Sequence, residues 1–179
     1  MTEPLRVDLS EFPVIDGHCH PLLSDPWALA SGDFLALFTE ARADTMTQHV
    51  PHTGYFRRAL RDFARRLGTE ASVDAVIERR RQLGADAACR RLSESRVAAL
   101  LVDTGYPPEA MPLPLMRLAV PSTVHEVFRI ETCAQSLLAK ELPYDEFLPI
   151  FREELRAAAR RVVAFKSVIA YRSELAIRA

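Results

Sequence analysis

Residues 12–20 read FPVIDGHCH, and the prediction of the fold starts from these nine residues. A short apolar run ends there in Asp-Gly and polar groups, which is typical of a buried strand that opens into a functional loop. Asp16 is expected to bond to the loop backbone at the strand end. Side chains alternate between the two faces of a strand, so His18 and His20 should project to the same side. Two such imidazoles can bind one cation together, although histidines near strand ends also serve as hydrogen-bonded polar groups.

Three further apolar runs predict strands two, three and four. They are RVAALLVDTGY at 96–106, VHEVFRIET at 124–132 and VVAFKSVIAYR at 162–172. Apolar residues at three- and four-residue spacing predict a helix at 55–67 with Gly68 as its C-cap, a helix from 72 through 81 and beyond that can end at Gly84, and two helices within 133–159. A further helix is expected at 85–93. The Pro-rich segment 107–121 is expected to replace a regular helix between strands two and three. This order of elements indicates an α/β domain with parallel strand pairing.

Composition favours a soluble protein that acts on a small molecule. The 179 residues, 49% of them apolar, suffice for one compact domain over 1–179. A formal net charge of -1 gives no sign of the basic surface needed to bind nucleic acid or an anionic membrane. Cys19, Cys89 and Cys133 lack any CxxC spacing, which fits a reducing, cytoplasmic setting. We recognise neither a secretory signal nor a membrane span.

The HxH motif and its surroundings resemble the amidohydrolase superfamily, whose members typically begin with an apolar strand leading into HxH. Here that stretch is VIDGHCHPL at 14–22. The resemblance implies the N-terminal half of a (β/α)8 TIM-type barrel, with about four parallel strands and helices outside them. It also implies that His18 and His20 hold a divalent metal, commonly zinc. Further segments look like the branch that includes domains fused to glutamine-synthetase-like proteins: HVPHTGYFRRALRDFARRLG (49–68), LLVDTGY (100–106), VFRIE (127–131) and FKSVIAYRSEL (165–175).

Lys166 lies in the predicted fourth strand and is the candidate for a catalytic lysine that also binds metal. Several members of the superfamily carry a strand-four lysine that is carboxylated and bridges two metals, whereas other branches lack this bridge. Desolvation among Phe165, Val168 and Ile169 would disfavour the charged form of Lys166 and help the amine react with carbon dioxide. The alternative is a structural lysine that pairs with a carboxylate or reaches solvent.

His52 and Arg172 are the candidates for substrate binding. His52 lies in the long connection after strand one, where it could line the pocket or decorate the surface. Arg172 ends the fourth predicted strand and could meet a carboxylate or phosphate of a substrate, the alternative being an exposed loop arginine. Arg129 and Glu131 give the end of strand three a polar face, for which an internal ion pair is favoured over substrate binding.

The chain supplies four recognisable strands, whereas a complete barrel has eight. The family's later strands deliver further metal-binding histidines and an aspartate that activates the attacking water, and no positions here match them. Four strands of an unfinished barrel leave an open edge, which implies self-association or a missing C-terminal half.

The expected function is metal-dependent hydrolysis of C–N bonds in amides or amidines through a metal-activated water, with the present chain an N-terminal fragment. Two alternatives stay open. One is a metal-assisted decarboxylase on the same scaffold, and the other is a non-catalytic half-barrel that acts as an interaction module.

Overall fold

The computed structural model describes residues 7–24, 29–41, 44–107 and 110–173, without the side chains of 44, 85–89 and 172–173. The chain divides into two compact units. One consists of residues 1–24 together with 91–179, and the other consists of residues 25–90. Among the helices of these described ranges, none is long and apolar enough to cross a membrane.

The first unit is built on a parallel sheet whose strand order follows the chain, β1-β2-β3-β4. Its strands are β1 (Val14–Cys19), β2 (Val97–Asp103), β3 (Thr123–Arg129) and β4 (Ala164–Lys166). Each strand pairs in parallel with the next. A doubly wound sheet would reverse its strand order at a switch point, whereas a barrel adds strands in sequence. The predicted α/β half-barrel of four parallel strands is therefore confirmed.

The second unit is helical. Its elements are α1 (Ser31–Ala36), α2 (Asp44–Thr47), a 3-10 turn (Val50–His52), α3 (Gly54–Leu67) and most of α4 (Val73–Glu94). The hydroxyl of Thr53 caps α3 by accepting from the Phe56 N–H. Gly68 ends the helix in the left-handed conformation, as predicted. α4 is interrupted at Gly84, where the sequence predicts that one helix ends and another begins. The core of this unit is formed by Phe34, Val50, Phe56, Ala64, Val76 and Ile77.

The helices of the first unit are α5 (Leu113–Ala119), α6 (Ile130–Leu138), α7 (Tyr144–Ala159) and α8 (Ala170–Ser173). The expectation that segment 107–121 lacks a regular helix is wrong, because α5 lies within it. Pro112 is the N-cap of α5 and Pro114 lies in its first turn, where a missing N–H breaks no helical hydrogen bond. In this position the prolines start the helix and do not prevent it.

Two strands are shorter than the sequence predicts. β3 ends at Arg129 because residues 130–132 form the first turn of α6, where the negative charge of Glu131 is favourable at a helix N-terminus. β4 has only three residues. It ends at Lys166 because the next residues bond to a side chain: the Ser167 hydroxyl and the Val168 N–H both donate to Glu131.

One apolar cluster forms the core of the first unit, whereas the outer strands keep exposed apolar side chains. The buried members of the cluster are Leu100, Val102, Met116, Val120 and Val124. On β1, 62% of Ile15 is exposed, and on β4, 42% of Phe165 is exposed. Within the described ranges, β1 and β4 each pair on one side only. These two edges therefore combine unpaired backbone with apolar surface.

Candidate metal centre

Polar side chains cluster where the four parallel strands end. His18 and His20 stand at the end of β1, Asp103 is the last residue of β2, Arg129 ends β3 and Lys166 ends β4. All five belong to the first unit. The carboxyl ends of parallel strands meet at one edge of a sheet, and this is the edge where (β/α) barrels place their catalytic groups.

The end of β1 brings the two imidazoles together. The ring centroids of His18 and His20 are 5.8 Å apart, with an angle of 68° between the ring planes. The register of β1 against β2 shifts between Asp16 and Cys19, so the irregularity in strand pairing includes His18. Asp16 accepts a hydrogen bond of 3.0 Å from the backbone N–H of His18, as the Asp-Gly pair predicts. The two rings are therefore neighbours, and the hydrogen bond to Asp16 holds the backbone at the end of the strand.

His20 is oriented by the backbone of β2. Its Nδ1 lies 3.3 Å from the carbonyl oxygen of Asp103 and 3.9 Å from the nearer carboxylate oxygen of that residue. A carbonyl oxygen can only accept, so this bond requires Nδ1 of His20 to carry a proton, and in the neutral imidazole Nε2 then has the free lone pair. Metal-binding histidines commonly donate their second nitrogen to such a carbonyl. Tyr106 packs edge-on against the ring at 5.4 Å.

Lys166 lies between His18 and Asp103. Its Nζ is 3.0 Å from Nε2 of His18 and 2.9 Å from Oδ2 of Asp103. An ammonium has three donors and no acceptor, so Nε2 of His18 accepts this bond through its lone pair. The structure shows Lys166 paired with a carboxylate, which is one of the alternatives that the sequence leaves open. It also places the amine against His18, one of the two predicted metal-binding histidines.

Asp103 is the most enclosed charged group of the cluster, with a side chain only 3% exposed. Arg129 donates to both of its carboxylate oxygens, with Nε 3.1 Å from Oδ1. Burial acts to raise the pKa of Asp103, but hydrogen bonds from Arg129, Lys166 and the Gly105 N–H outweigh it and lower the pKa to about 2. The carboxylate is therefore ionised throughout the neutral range.

Glu131, in the first turn of α6, holds the loop that follows Lys166. Its Oε1 accepts two hydrogen bonds, one of 2.5 Å from the Ser167 hydroxyl and one of 2.9 Å from the Val168 N–H. Burial acts to raise the pKa of Glu131, and these hydrogen bonds together lower it below its usual range. The second oxygen, Oε2, is buried and has no hydrogen-bond partner within the described ranges.

The structure brings together three of the five predicted site residues, His18, His20 and Lys166. His52 lies in the second unit, as the last residue of the 3-10 turn. The side chain of Arg172 lies outside the described part of the structure. The roles of all five in binding stay predictions.

Sequence reasoning missed Asp103, and it favoured an internal ion pair for Arg129 and Glu131 without finding the partner of either. Arg129 pairs with Asp103, while Glu131 accepts from the β4 loop. A signal for Asp103 was present, because an aspartate that closes an apolar strand occupies the same edge as the histidines that close β1.

The donor set fits part of a metal site. In the neutral imidazoles Nε2 is the nitrogen with the lone pair, and that of His18 accepts from Lys166. Across the described residues, however, no three His, Cys, Asp or Glu side chains converge on a point where they could hold an ion.

The comparisons with known proteins agree with the fold. Neither a protein-family model nor a curated protein matches the chain. A solved structure from Lactobacillus casei, described as a proposed metal-dependent hydrolase, is similar, with a TM-score of 0.69 and 25% sequence identity. The match covers 93% of this chain and 46% of the Lactobacillus casei chain. The chain therefore spans about half the length of that structural relative and has the fold of its matching half.

Proposed function

We propose that residues 1–179 form the N-terminal half of an amidohydrolase-superfamily barrel, belonging to a cytoplasmic, metal-dependent hydrolase of C–N bonds in a small amide or amidine. Support comes from the HxH pair at the carboxyl end of β1 and from a structural relative, described as a proposed metal-dependent hydrolase, that is about twice as long. The single observation that carries the proposal is the 3.0 Å contact between Nζ of Lys166 and Nε2 of His18.

His18 and His20 would hold the metal, which we propose to be zinc, through Nε2, and carboxylated Lys166 would supply an oxygen ligand. Such an ion lowers the pKa of a bound water to about 7 and polarises the bond to be cleaved. His20 is already oriented for this role by the Asp103 carbonyl, and His18 already presents its lone pair to Lys166. We assign His52 and Arg172 to substrate binding.

The remaining ligands would come from a C-terminal half that completes the barrel. The edges of β1 and β4 carry exposed apolar side chains, among them Val14, Ile15 and Phe165. Further strands pairing there would bury these side chains and satisfy the strand backbone. A second copy of the chain is the alternative partner for the same edges.

Metal analysis tests the proposal. The protein carrying both barrel halves is purified, and its zinc content is measured for the wild type and for His18→Ala and His20→Ala. His49→Ala is the matched control, because His49 is exposed and lies in the second unit. We expect stoichiometric zinc in the wild type and the control, and loss of zinc in both site variants. Stoichiometric zinc retained in both site variants would contradict the proposal.

A second candidate function is that of a non-catalytic half-barrel that acts as an interaction module through its open edges. The observation in its favour is that no three His, Cys, Asp or Glu side chains of the described residues form a metal site. Absence of metal from the completed protein, together with tight association of the two halves, would support this candidate over the hydrolase.

A further inference from the structure

We propose that a pocket beside β3 binds a small zwitterion, an amino acid with an apolar side chain, through the carboxylate of Glu154 and the ammonium of Lys140. The pocket lies within the first unit and has a volume of about 360 Å³. Small-molecule sites in proteins have volumes of roughly 300–1,000 Å³, so one such molecule fits. The described residues that line it include none of the predicted metal-binding residues, so the inference is independent of the proposed function.

The walls of the pocket combine apolar surface with polar groups. Glu126 and Phe128 line it from one face of β3, because side chains alternate along a strand. Leu137 of α6 adds apolar surface and is 4% exposed. Two hydroxyls and a thiol of α6 also line the pocket, those of Thr132, Ser136 and Cys133. The side chain of an apolar amino acid would pack against Phe128 and Leu137.

Two of the three cations that line the pocket already have a carboxylate partner. Arg161 donates to Glu126 and lies over the ring of Phe128, with 5.6 Å between its guanidinium carbon and the ring centroid. Arg129 is paired with Asp103. These pairs balance both arginines and one of the two glutamates that line the pocket.

Lys140 and Glu154 keep opposite charges that no partner balances. Both are exposed, and within the described ranges neither forms an ion pair or a side-chain hydrogen bond. Burial raises the pKa of the Cys133 thiol, the charge of Glu154 raises it further, and the charge of Lys140 lowers it. Both charges therefore act on one thiol that lines the pocket. A molecule with an ammonium and a carboxylate on the same carbon matches this pair, whereas a singly charged molecule leaves one charge unmatched.

Isothermal titration calorimetry of the full-length chain tests the proposal with three forms of one ligand. Leucine carries both charges, N-acetylleucine lacks the ammonium, and leucinamide lacks the carboxylate. We expect leucine to bind at one site and each analogue to bind more weakly by on the order of 10-fold, because one charge of the pocket loses its partner. Alanine and phenylalanine extend the series to smaller and larger side chains. Absence of binding by all three amino acids at millimolar concentration would overturn the proposal.

Two variants assign the charges. Glu154→Gln should weaken leucine binding by on the order of 10-fold but leave N-acetylleucine unaffected, since that analogue has no ammonium to lose a partner. Lys140→Met should weaken leucine binding similarly but leave leucinamide unaffected. Glu153→Gln and Arg152→Met remove exposed charges of α7 that do not line the pocket, and both should bind leucine as the wild type does. Wild-type affinity for leucine in both pocket variants would show that the proposal is wrong.

Alkylation of Cys133 reports where the ligand binds and needs no variant. The chain is labelled with iodoacetamide, and mass spectrometry follows the peptides that contain Cys133 and Cys19, both free thiols. We expect leucine to slow the labelling of Cys133 and to leave Cys19 unchanged, because the Cys19 thiol lies against the carbonyl of Leu101 and does not line the pocket. N-acetylleucine at the same concentration should protect Cys133 less. Leucine that binds without slowing the labelling of Cys133 would occupy another site, which would also overturn the proposal.

Discussion

His18 and Lys166 lie on the two outermost strands of the sheet, yet Nζ of the lysine is 3.0 Å from Nε2 of the histidine. Strands lie about 4.8 Å apart, so a flat four-stranded sheet would separate β1 from β4 by roughly 14 Å. Two long side chains that lean toward each other over a curled sheet close this distance. The contact is thus a consequence of barrel-like curvature, and it supports the proposal that these residues serve one site.

Arg129→Ala should destabilise the protein by about 3 kcal/mol, because it leaves the buried carboxylate of Asp103 with one cation instead of two. Chemical denaturation followed by circular dichroism measures the loss. Arg65→Ala is the control, since its ion pair with Asp62 is exposed and should contribute less than about 1 kcal/mol. Equal effects of the two substitutions would contradict the structural role of the pair.

Lowering the pH should reduce the free energy of unfolding over the range in which Asp103 becomes protonated. Its pKa is lowered to about 2 in the folded protein, so the ionised form stabilises the fold above the ordinary pKa of 3.8. That stability is lost as the pH falls from about 4 toward 2, and the loss amounts to about 2 kcal/mol. Denaturation midpoints measured across this range should fall steeply in the wild type.

Asp103→Asn provides the comparison for this pH profile. The amide does not titrate, so the variant should be less stable at neutral pH and show a flatter decline between pH 4 and 2. The lowered pKa of Glu131 acts in the same direction and leaves a residual slope. A profile as steep as that of the wild type would show that Asp103 is not the group responsible.

Glu131→Gln should loosen the segment after β4. The amide replaces a carboxylate that accepts from the Ser167 hydroxyl and the Val168 N–H, and weaker acceptance should cost about 1 kcal/mol. Hydrogen exchange at the Val168 amide should become faster than in the wild type. Glu153→Gln, which alters an exposed pair with Arg156, should leave this amide unchanged.

Ile15→Lys should reduce association at the open edge of β1. Ile15 is 62% exposed, so a charge there should not unfold the chain, but it should oppose pairing with a further strand or a second copy. Sedimentation velocity at several protein concentrations measures self-association of the wild type and the variant. Leu118→Lys, on α5 and 86% exposed, is the control for adding a charge at an exposed apolar position. Identical concentration dependence of the wild type and Ile15→Lys would contradict the role of this edge in self-association.

Local signals in the sequence were enough for the strands, for α3 and for the pairing of two imidazoles at a strand end. Apolar runs closed by polar residues predict parallel strands, and apolar residues at helical spacing with a terminal glycine predict α3. The pattern of residue types led to wrong predictions at two places, because the residues there are compatible with more than one kind of secondary structure. The prolines of 107–121 start α5, and Ile130 and Glu131, which continue the apolar alternation of a strand, begin α6.

Local patterns of apolar and polar residues predict the four strands and the pair of His18 and His20 where β1 ends. They do not predict where β3 and β4 end, because both strands stop at contacts with Glu131 or at the start of α6. The contacts of Asp103 with Arg129, Lys166 and His20 follow from the three-dimensional fold, since partners 26, 63 and 83 positions away along the chain are brought together by strand order and sheet curvature. No local pattern encodes that curvature, which arises from the packing of strands and helices around a shared core.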